Sequence, residues 1–409
     1  MLSILTLSMI GVLSASIVFL LLAISGVIIF SRKSRLSSVS ENFVPLTVLK
    51  PVCGLEPELI DNLSSFCDQD YPTYQIVFAV QDSKDPAISI IEKVIATFPD
   101  KDLSLVIDDQ VLGKNLKASN LINMFKKAKY DLIVIADSDV RVRQDYLKSV
   151  SAPFINSEVG AATCLYSGVG GNNFASRLGM MFINDWFLPS ALVSALFVDL
   201  KFCFGATMAI RREVLAKIGG FGTLKDFLAD DYMLGRAVFK KGYKIALVTY
   251  IVENIVSEKN IKSLFQHEIR WARTIRSVQP LGYLMSFITE AFPIAILTGV
   301  FIYLQTSSVV WTISPIIAIL VLRITLHYLV QSKLAYNAVH TPWLIPARDI
   351  FSLVVRTVSL FGSKVSWRNQ TMFVYKGGRL SPLKINSKNK TKEIGKKNEK
   401  DTSSQPTYV

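Results

Sequence analysis

The chain has 409 residues, 50% of them hydrophobic, and a formal net charge of +13 at pH 7. This composition is more apolar than that of a typical soluble domain and indicates contact with a lipid bilayer. The basic residues form no stripe interleaved with stacking aromatics, which argues against a nucleic-acid partner. The four cysteines and three histidines show no metal-binding spacing, so acid and base chemistry must rest mainly on carboxylates.

The N-terminal segment is long and apolar. Residues 2–30 contain no charged side chain, and a helix of this length can cross about 30 Å of hydrocarbon. Arg32, Lys33 and Arg35 follow, and the positive-inside rule then places the next domain in the cytosol and the N-terminus outside. Residues 1–30 are therefore predicted to be a transmembrane anchor.

Residues 44–280 alternate short β-branched runs with longer amphipathic stretches. This alternation is typical of strands and crossover helices in an α/β fold with a mostly parallel sheet. The clearest strands are predicted at 47–49, 75–80, 103–107 and 131–136, and helices at 86–98 and 117–128. Ligands of such sheets bind at the carboxyl ends of the strands, so this region is predicted to be the catalytic domain.

The chain becomes apolar again after this domain. Two transmembrane helices are predicted within residues 281–331. Residues 342–383 are predicted to be an interfacial amphipathic segment, because Arg348 and other charged residues interrupt the apolar run. Residues 384–409 are rich in lysine and are predicted to be a disordered basic tail. We expect a multi-pass integral membrane protein, in a bacterial inner membrane or, in a eukaryote, the Golgi, with its catalytic domain in the cytosol.

Two acidic motifs directly follow predicted strands. Asp137 and Asp139 come after the strand that ends at residue 136, and such a pair can hold Mg²⁺ or Mn²⁺ on the diphosphate of a nucleotide sugar. Asp82 and Asp85 follow another strand and suit contact with a nucleotide. The alternatives are that the first pair caps a helix and that Asp85 is a helix cap followed by Pro86.

Two further motifs lie nearer the C-terminus. Asp231, beside Asp230, is predicted to be the general base that takes the proton of an acceptor hydroxyl. The alternative is a solvated first turn of a helix. His267, Arg270 and Trp271 share one face if their segment is helical, so that the guanidinium can stabilise a departing diphosphate and the indole can line an acceptor pocket. A basic helix lying on anionic lipid is the alternative.

The order of these motifs is specific. It is carried by Val48-Leu49-Lys50-Pro51 with Gly54, Asp70-Tyr71-Pro72, Val80-Gln81-Asp82 with Asp85-Pro86-Ala87, Asn115 with Lys117 and Asn120, Asp137-Ser138-Asp139 with Arg141, the acidic segment 221–232, and Ile269-Arg270-Trp271. In these motifs the chain resembles the ceramide glucosyltransferase family and its bacterial hopanoid-biosynthesis relatives. The resemblance covers roughly residues 44–280.

The resemblance implies a glycosyltransferase A-type fold, a divalent metal, a UDP-sugar donor, inversion at the anomeric carbon and a lipid acceptor. It implies that Asp231, Arg270 and Trp271 are catalytic and that Asp137 and Asp139 hold the metal. The implied donor-binding residues are Lys50, Asp82, Asp85, Lys117, Asn120, Asp137, Asp230 and His267. One residue departs from the pattern, because the last motif commonly begins with Gln or Arg and here begins with His267.

The predicted function is transfer of a hexose, glucose or N-acetylglucosamine, from a UDP-sugar to the hydroxyl of a lipid such as ceramide or a hopanoid. A processive polysaccharide synthase shares the motifs but needs a larger bundle of membrane helices. A membrane protein that binds nucleotide sugars without turnover is the non-enzymatic alternative. The motifs leave the oligomeric state open.

Overall fold

The computed structural model describes residues 2–36, 43–367 and 370–382. The predicted basic tail, residues 384–409, lies outside the described residues. The helices are α1 (Leu2–Leu36), α2 (Leu59–Cys67), α3 (Ala87–Thr97), α4 (Leu116–Phe125), α5 (Tyr146–Ser151), α6 (Phe174–Phe182), α7 (Leu188–Phe197), α8 (Arg212–Lys217), α9 (Asp230–Lys240), α10 (Ile261–Val278), α11 (Pro280–Met285), α12 (Ala291–Thr306), α13 (Val309–Lys333) and α14 (Ile345–Ser359).

The strands form two sheets. They are β1 (Leu46–Pro51), β2 (Tyr74–Val80), β3 (Asp102–Ile107), β4 (Leu132–Ala136), β5 (Val140–Arg141), β6 (Val159–Gly170), β7 (Thr207–Arg211), β8 (Lys244–Val256), β9 (Lys364–Trp367), β10 (Gln370–Val374) and β11 (Leu380–Pro382). In the described residues, the first eight make one sheet in the order β3-β2-β1-β4-β7-β6-β8-β5, and the last three make an antiparallel sheet.

The large sheet confirms the predicted α/β fold. Strands β3, β2, β1 and β4 are parallel, as their sequence pattern predicts, and β6 is parallel to β8. Strand β7 is antiparallel to both of its neighbours, and β5 is antiparallel to β8. The sheet is therefore mixed toward its second half. Every residue of β1, β2 and β4 is buried, which is why these strands read as continuous apolar runs.

Helices cover both faces of this sheet. On one face, Phe66 of α2 and Ile91 of α3 pack against Val48 and Ile76. On the other face, residues of α4 and α9, including Leu121 and Leu234, pack against Leu49 and Val77. This packing leaves the carboxyl ends of β1, β2 and β4 free to carry polar side chains at one edge.

Among the described residues, three helical stretches are long and apolar enough to cross a membrane. They are residues 3–34, 174–197 and 309–333. One span is predicted from about residue 281 to residue 304. The structure has two helical segments there, 280–289 and 291–306, bent by 63°, and this pair makes a fourth candidate if it is counted as one span. Helices α1, α7, α12 and α13 pack together through an apolar cluster. The number of passes remains a prediction.

The stretch over residues 174–197 was missed by the sequence analysis. Its mean hydropathy is 1.4, against 2.7 for the N-terminal stretch, because polar residues interrupt it. The Asn184 side chain bonds both the N–H and the carbonyl of Gly168. Asp185 accepts from His327 at 2.9 Å. Both polar side chains therefore have hydrogen-bond partners inside the protein, and these partners lie outside the stretch itself.

Helix α14 occupies the first part of the predicted interfacial segment, 342–383, whose remainder contains β9, β10 and β11, and the polar side of the helix faces inward. Arg348, Asp349 and Arg356 are at most 5% exposed. They pair with Glu268 of α10, Arg323 of α13 and Glu290 respectively. The exposed side of the same helix carries Ile350, Val354 and Val358. Position at the membrane interface therefore remains a prediction, while the charged residues clearly stabilise the packing of helices.

Candidate functional site

The loop after β4 places Asp137 and Asp139 at the carboxyl end of the sheet. The Asp137 side chain is 35% exposed, and its Oδ1 lies 2.5 Å from the ammonium of Lys117. Asp139 is partly buried, and its Oδ1 has no hydrogen-bond partner among the residues that the structure describes. Burial, followed by the charge of Asp137, raises the pKa of Asp139. One of the two predicted metal ligands thus offers a free oxygen.

Two buried lysines contact this region. Burial opposes the charge of Lys117, but Asp137 and Asp230, the latter 3.6 Å away, outweigh it and raise the pKa of this lysine. Lys50 donates to the backbone oxygen of Asp137 at 2.6 Å and lies 3.6 Å from the ring centroid of Phe66. Burial lowers the pKa of Lys50 to about 7. Lys50 therefore holds the backbone of the acidic loop, whereas Lys117 lies between two carboxylates.

The predicted base lies at the start of α9. Asp231 accepts a hydrogen bond at Oδ1 from the N–H of Tyr232, at 2.7 Å. Its Oδ2 faces Gly205, where a Cβ atom would lie 3.1 Å from that oxygen and 3.8 Å from Oδ2 of Asp137. Burial, followed by the charge of Asp230, raises the pKa of Asp231 to about 7. The structure therefore brings the predicted base and a predicted metal ligand to one space, which the absence of a side chain at Gly205 leaves open.

Three predicted donor-binding residues contact backbone groups. Asp82 is exposed and accepts from the N–H of Lys84 at 2.9 Å. The Asp85 carboxylate accepts from the N–H of Gly54 and from the first residue of α3. This second contact agrees with the alternative reading of Asp85 as a helix cap. The Asn120 amide is buried and donates to the backbone carbonyl of Ala79 in β2, 2.9 Å away. It therefore does not face an open crevice.

Helix α10 confirms that the last motif is helical. His267 and Trp271 are in contact, with ring centroids 4.2 Å apart. The Nδ1 of His267 lies 2.6 Å from Oε1 of Glu258. Trp271 also packs against Phe182, with ring centroids 5.4 Å apart. Arg270 is partly buried on the same helix. The imidazole and the indole of this motif therefore stand together in the wall of the cavity beside Asp139.

Tyr166 of β6 is influenced by the charges of the predicted site residues, although the sequence analysis did not single it out. Burial raises the pKa of its hydroxyl, Asp231, Asp139 and Asp137 raise it further, and Arg270 lowers it. The hydroxyl therefore lies within electrostatic range of the acidic loop, the predicted base and α10. No motif marks this tyrosine, and its place on a strand that ends near the site was the one signal available.

A cavity of about 120 Å³ adjoins Asp139. Its lining residues are Asp139, Gly179, Phe182, Ile183, Asn254, Ile255, Val256, Ser257, Glu258, Leu264, His267, Glu268 and Trp271. Glu258 was also missed, although it follows β8 by two residues, just as Asp82 follows β2. An acidic residue directly after a strand was thus a usable signal here too.

The residues present fit a divalent metal shared with a phosphate-bearing ligand. In the described part of the chain, no group of three or more His, Cys, Asp or Glu side chains is arranged to hold a metal ion. Mg²⁺ is often held by one or two carboxylates together with substrate phosphates, so a complete protein cage is not required. The free Oδ1 of Asp139 and the partly exposed carboxylate of Asp137 would be the two protein ligands of such an ion.

Relatives of known activity match the chain over different lengths. Ceramide glucosyltransferase 3 of Caenorhabditis elegans is 22% identical over 347 residues, which is 83% of this chain and 74% of that protein. The ceramide glucosyltransferase of Candida albicans is 37% identical over 126 residues, which is 28% of this chain and 23% of that protein.

Among solved structures, the mannosyltransferase PcManGT from Pyrobaculum calidifontis, in complex with GDP-Man and Mn²⁺, aligns with 86% of this chain and 99% of its own. It is 17% identical, with a TM-score of 0.49. The model of glycosyl transferase family 21 matches residues 11–380, which include the sheet, the acidic loop, α9 and α10. The chain belongs to glycosyl transferase family 21.

Proposed function

We propose that this hexosyltransferase is a membrane-bound inverting enzyme that moves glucose or N-acetylglucosamine from a UDP-sugar to the hydroxyl of a lipid. Relatives named ceramide glucosyltransferases support a lipid acceptor, with ceramide as the first candidate. The apolar helices support a site that meets its acceptor at the bilayer, with the catalytic domain in the cytosol. The observation that carries the proposal is the shared space at Gly205, which Asp231 and Asp137 both border.

The chemical step is a direct displacement. Asp231 takes the proton of the acceptor hydroxyl, the hydroxyl oxygen forms a bond to the anomeric carbon, and the bond from that carbon to the diphosphate breaks. The proton ends on Asp231 and the electron pair on the leaving UDP. A pKa of about 7 suits this role, because the carboxylate is a stronger base than an ordinary aspartate and is still ionised in half of the molecules at neutral pH.

Positive charge stabilises the leaving UDP. Lys117 is held between Asp137 and Asp230, and Arg270 stands on the facing helix. A divalent metal on Asp137 and Asp139 would neutralise further charge on the diphosphate. Trp271 provides a flat apolar surface beside the reacting groups. These fixed groups replace water around the developing charge. Such electrostatic stabilisation of the transition state is usually the largest single contribution to the rate of an enzyme.

The remaining predicted donor residues divide by burial. Lys50, Asp85 and Asn120 bond backbone groups, and we propose that they fix the loops around the donor. Asp82 is exposed at the same edge and is available to the nucleotide. His267 is paired with Glu258, so we propose that it orients that carboxylate as well as bordering the site.

The test is a transfer assay with the full chain purified in detergent, Mg²⁺ or Mn²⁺, a panel of UDP-sugars and short-chain ceramide. We expect lipid-dependent release of UDP and addition of a single hexose, seen by mass spectrometry, with an inverted anomeric configuration seen by NMR. The Asp231→Asn variant should lose about a hundredfold or more of the turnover while its UDP affinity changes little. A growing saccharide ladder contradicts the proposal in favour of a polysaccharide synthase. UDP binding with no turnover favours a silent binding protein.

A further inference from the structure

The cavity beside Asp139 has one apolar side and one polar side. Phe182, Leu264 and Trp271 provide apolar surface. Asp139 and Glu258 provide carboxylates from two different loops. This combination is typical of a ligand pocket, in which apolar walls supply contact area and a few polar groups fix orientation.

Two carboxylate oxygens at this cavity are buried and unsatisfied. Glu258 has a 13% exposed side chain; its Oε1 contacts His267, and its Oε2 has no hydrogen-bond partner in the part of the chain that the structure describes. The same holds for Oδ1 of Asp139. Buried polar atoms are normally satisfied, and the Asp139 oxygen is already proposed as a metal ligand, so the free oxygen of Glu258 is the one that indicates a ligand with a donor group.

Helix α6 leaves room for the free oxygen of Glu258. It presents Gly179 at this point, where a Cβ atom would lie 3.2 Å from Oε2 of Glu258 and 3.1 Å from a methyl carbon of Leu264. A helix interior normally disfavours glycine by about 1 kcal/mol relative to alanine. The glycine therefore leaves room at a point where Leu264, Val256 and this oxygen converge.

The charge of the cavity limits what it can bind. An ionised carboxylate only accepts hydrogen bonds, so the ligand must present O–H or N–H groups. The Glu258 carboxylate, which is not one of the proposed metal ligands, repels a phosphate or a carboxylate on the acceptor. The part of the cavity beside Glu258 thus favours a neutral lipid head with donor groups over an anionic lipid head.

We propose that Glu258 is a specificity-determining residue for the acceptor and accepts a hydrogen bond from a second hydroxyl or amide N–H next to the attacked hydroxyl. This inference rests on the proposed function. It narrows the acceptor class: a lipid with several donors, such as ceramide, is favoured over one with a single hydroxyl, such as diacylglycerol. His267 keeps Glu258 in place by binding its other oxygen.

The experiment compares C8-ceramide with dioctanoylglycerol as acceptors for the full chain in detergent. We expect the unchanged enzyme to prefer ceramide by about tenfold or more in kcat/KM, the usual effect of one hydrogen bond to a charged group. Glu258→Gln retains an oxygen for His267 but turns the free acceptor into an NH₂ donor, so the KM for ceramide should rise about tenfold with UDP affinity unchanged. Gly179→Ala should raise it in the same direction without removing the charge.

Glu158→Gln is the matched control, because Glu158 is an exposed residue paired with Lys244. It should leave both acceptors unaffected. If the unchanged enzyme glucosylates lipids but neither Glu258→Gln nor Gly179→Ala alters the KM for ceramide, the assignment of Glu258 is overturned while the proposed function stands. A loss of donor affinity with an unchanged ceramide KM overturns it too, since the cavity then binds the sugar donor. Absence of lipid turnover in the unchanged chain overturns both proposals. If Glu258→Gln fails to bind UDP and is misfolded, Gly179→Ala decides.

Discussion

The buried pair of Arg348 and Glu268 gives a direct test of how α14 supports α10. The two terminal guanidinium nitrogens of Arg348 donate to the two oxygens of the Glu268 carboxylate, at 2.6 and 2.7 Å. The two side chains are 2% and 3% exposed. Arg348 also donates to the backbone of Leu178 and to Ser352. Glu268 stands in α10 directly after His267 and two residues before Arg270. The pair therefore links the packing of α14 to the wall of the site.

Arg348→Met should destabilise the protein by about 3–5 kcal/mol, because it leaves the Glu268 carboxylate buried without a partner. In a chain of this size that corresponds to a fall in melting temperature on the order of 5–10 °C. The double variant Arg348→Met with Glu268→Met replaces the pair by apolar side chains and should recover most of the loss. Arg143→Met is the matched control, because Arg143 is 64% exposed and its pair with Asp145 contributes little.

The assay is thermal unfolding in detergent, followed by tryptophan fluorescence, with transfer activity measured below the transition. The reasoning is refuted if Arg348→Met melts within about 1 °C of the unchanged protein, a shift that corresponds to well under 1 kcal/mol. It is also refuted if the double variant is no more stable than Arg348→Met, because the loss would then not come from the unpaired Glu268 carboxylate.

Two further predictions concern the acidic site. Burial and Asp230 favour the protonated form of Asp231, and the base acts only when it is deprotonated. We therefore expect kcat/KM to fall about tenfold per pH unit below pH 7 and to level off above it. Lys117 and Asp137 also face this group, and a profile that is flat from pH 5.5 to 8 contradicts the assignment. Gly205→Ala should lower kcat by about tenfold or more, because its Cβ would fill the space 3.1 Å from Asp231. Gly222→Ala is the control and should leave kcat unchanged, because its Cβ would meet nothing within 4 Å. Equal activities of the two variants would rule out a catalytic role for the space at Gly205.

Much of the α/β domain could be predicted because its signals are local. The strands β1, β2 and β4 are buried on both faces, so continuous apolar runs mark them, and Asp137 follows one of them directly. Strand direction is not a local property. The antiparallel setting of β7 depends on its pairing with β4 and β6, and no pattern within Thr207–Arg211 reports it.

The unpredicted features depend on partners far apart in sequence. The stretch over residues 174–197 contains Asp185, which looks unfavourable in an apolar helix until His327, 142 residues away, is placed beside it. Lys50 matched a donor-binding motif, but its place at the end of β1 directs the ammonium to the backbone of the acidic loop. The roles of Gly179 and Gly205 depend on which oxygens a missing side chain leaves accessible, which only the packed structure reveals.

The inward polar side of α14 has a practical consequence for preparing the enzyme. Ile350, Val354 and Val358 point outward, and Leu281, Leu284 and Met285 of α11 are 57–72% exposed. Removing the first 36 residues would therefore not yield a water-soluble catalytic fragment. It would also uncover the apolar residues of α7, α12 and α13 that Leu20, Ala23 and Val27 of α1 cover. High salt, which weakens the attachment of basic surfaces to anionic lipid, should not release the protein from membranes. Extraction requires detergent, and the detergent must cover α11 and α14 as well as the long helices.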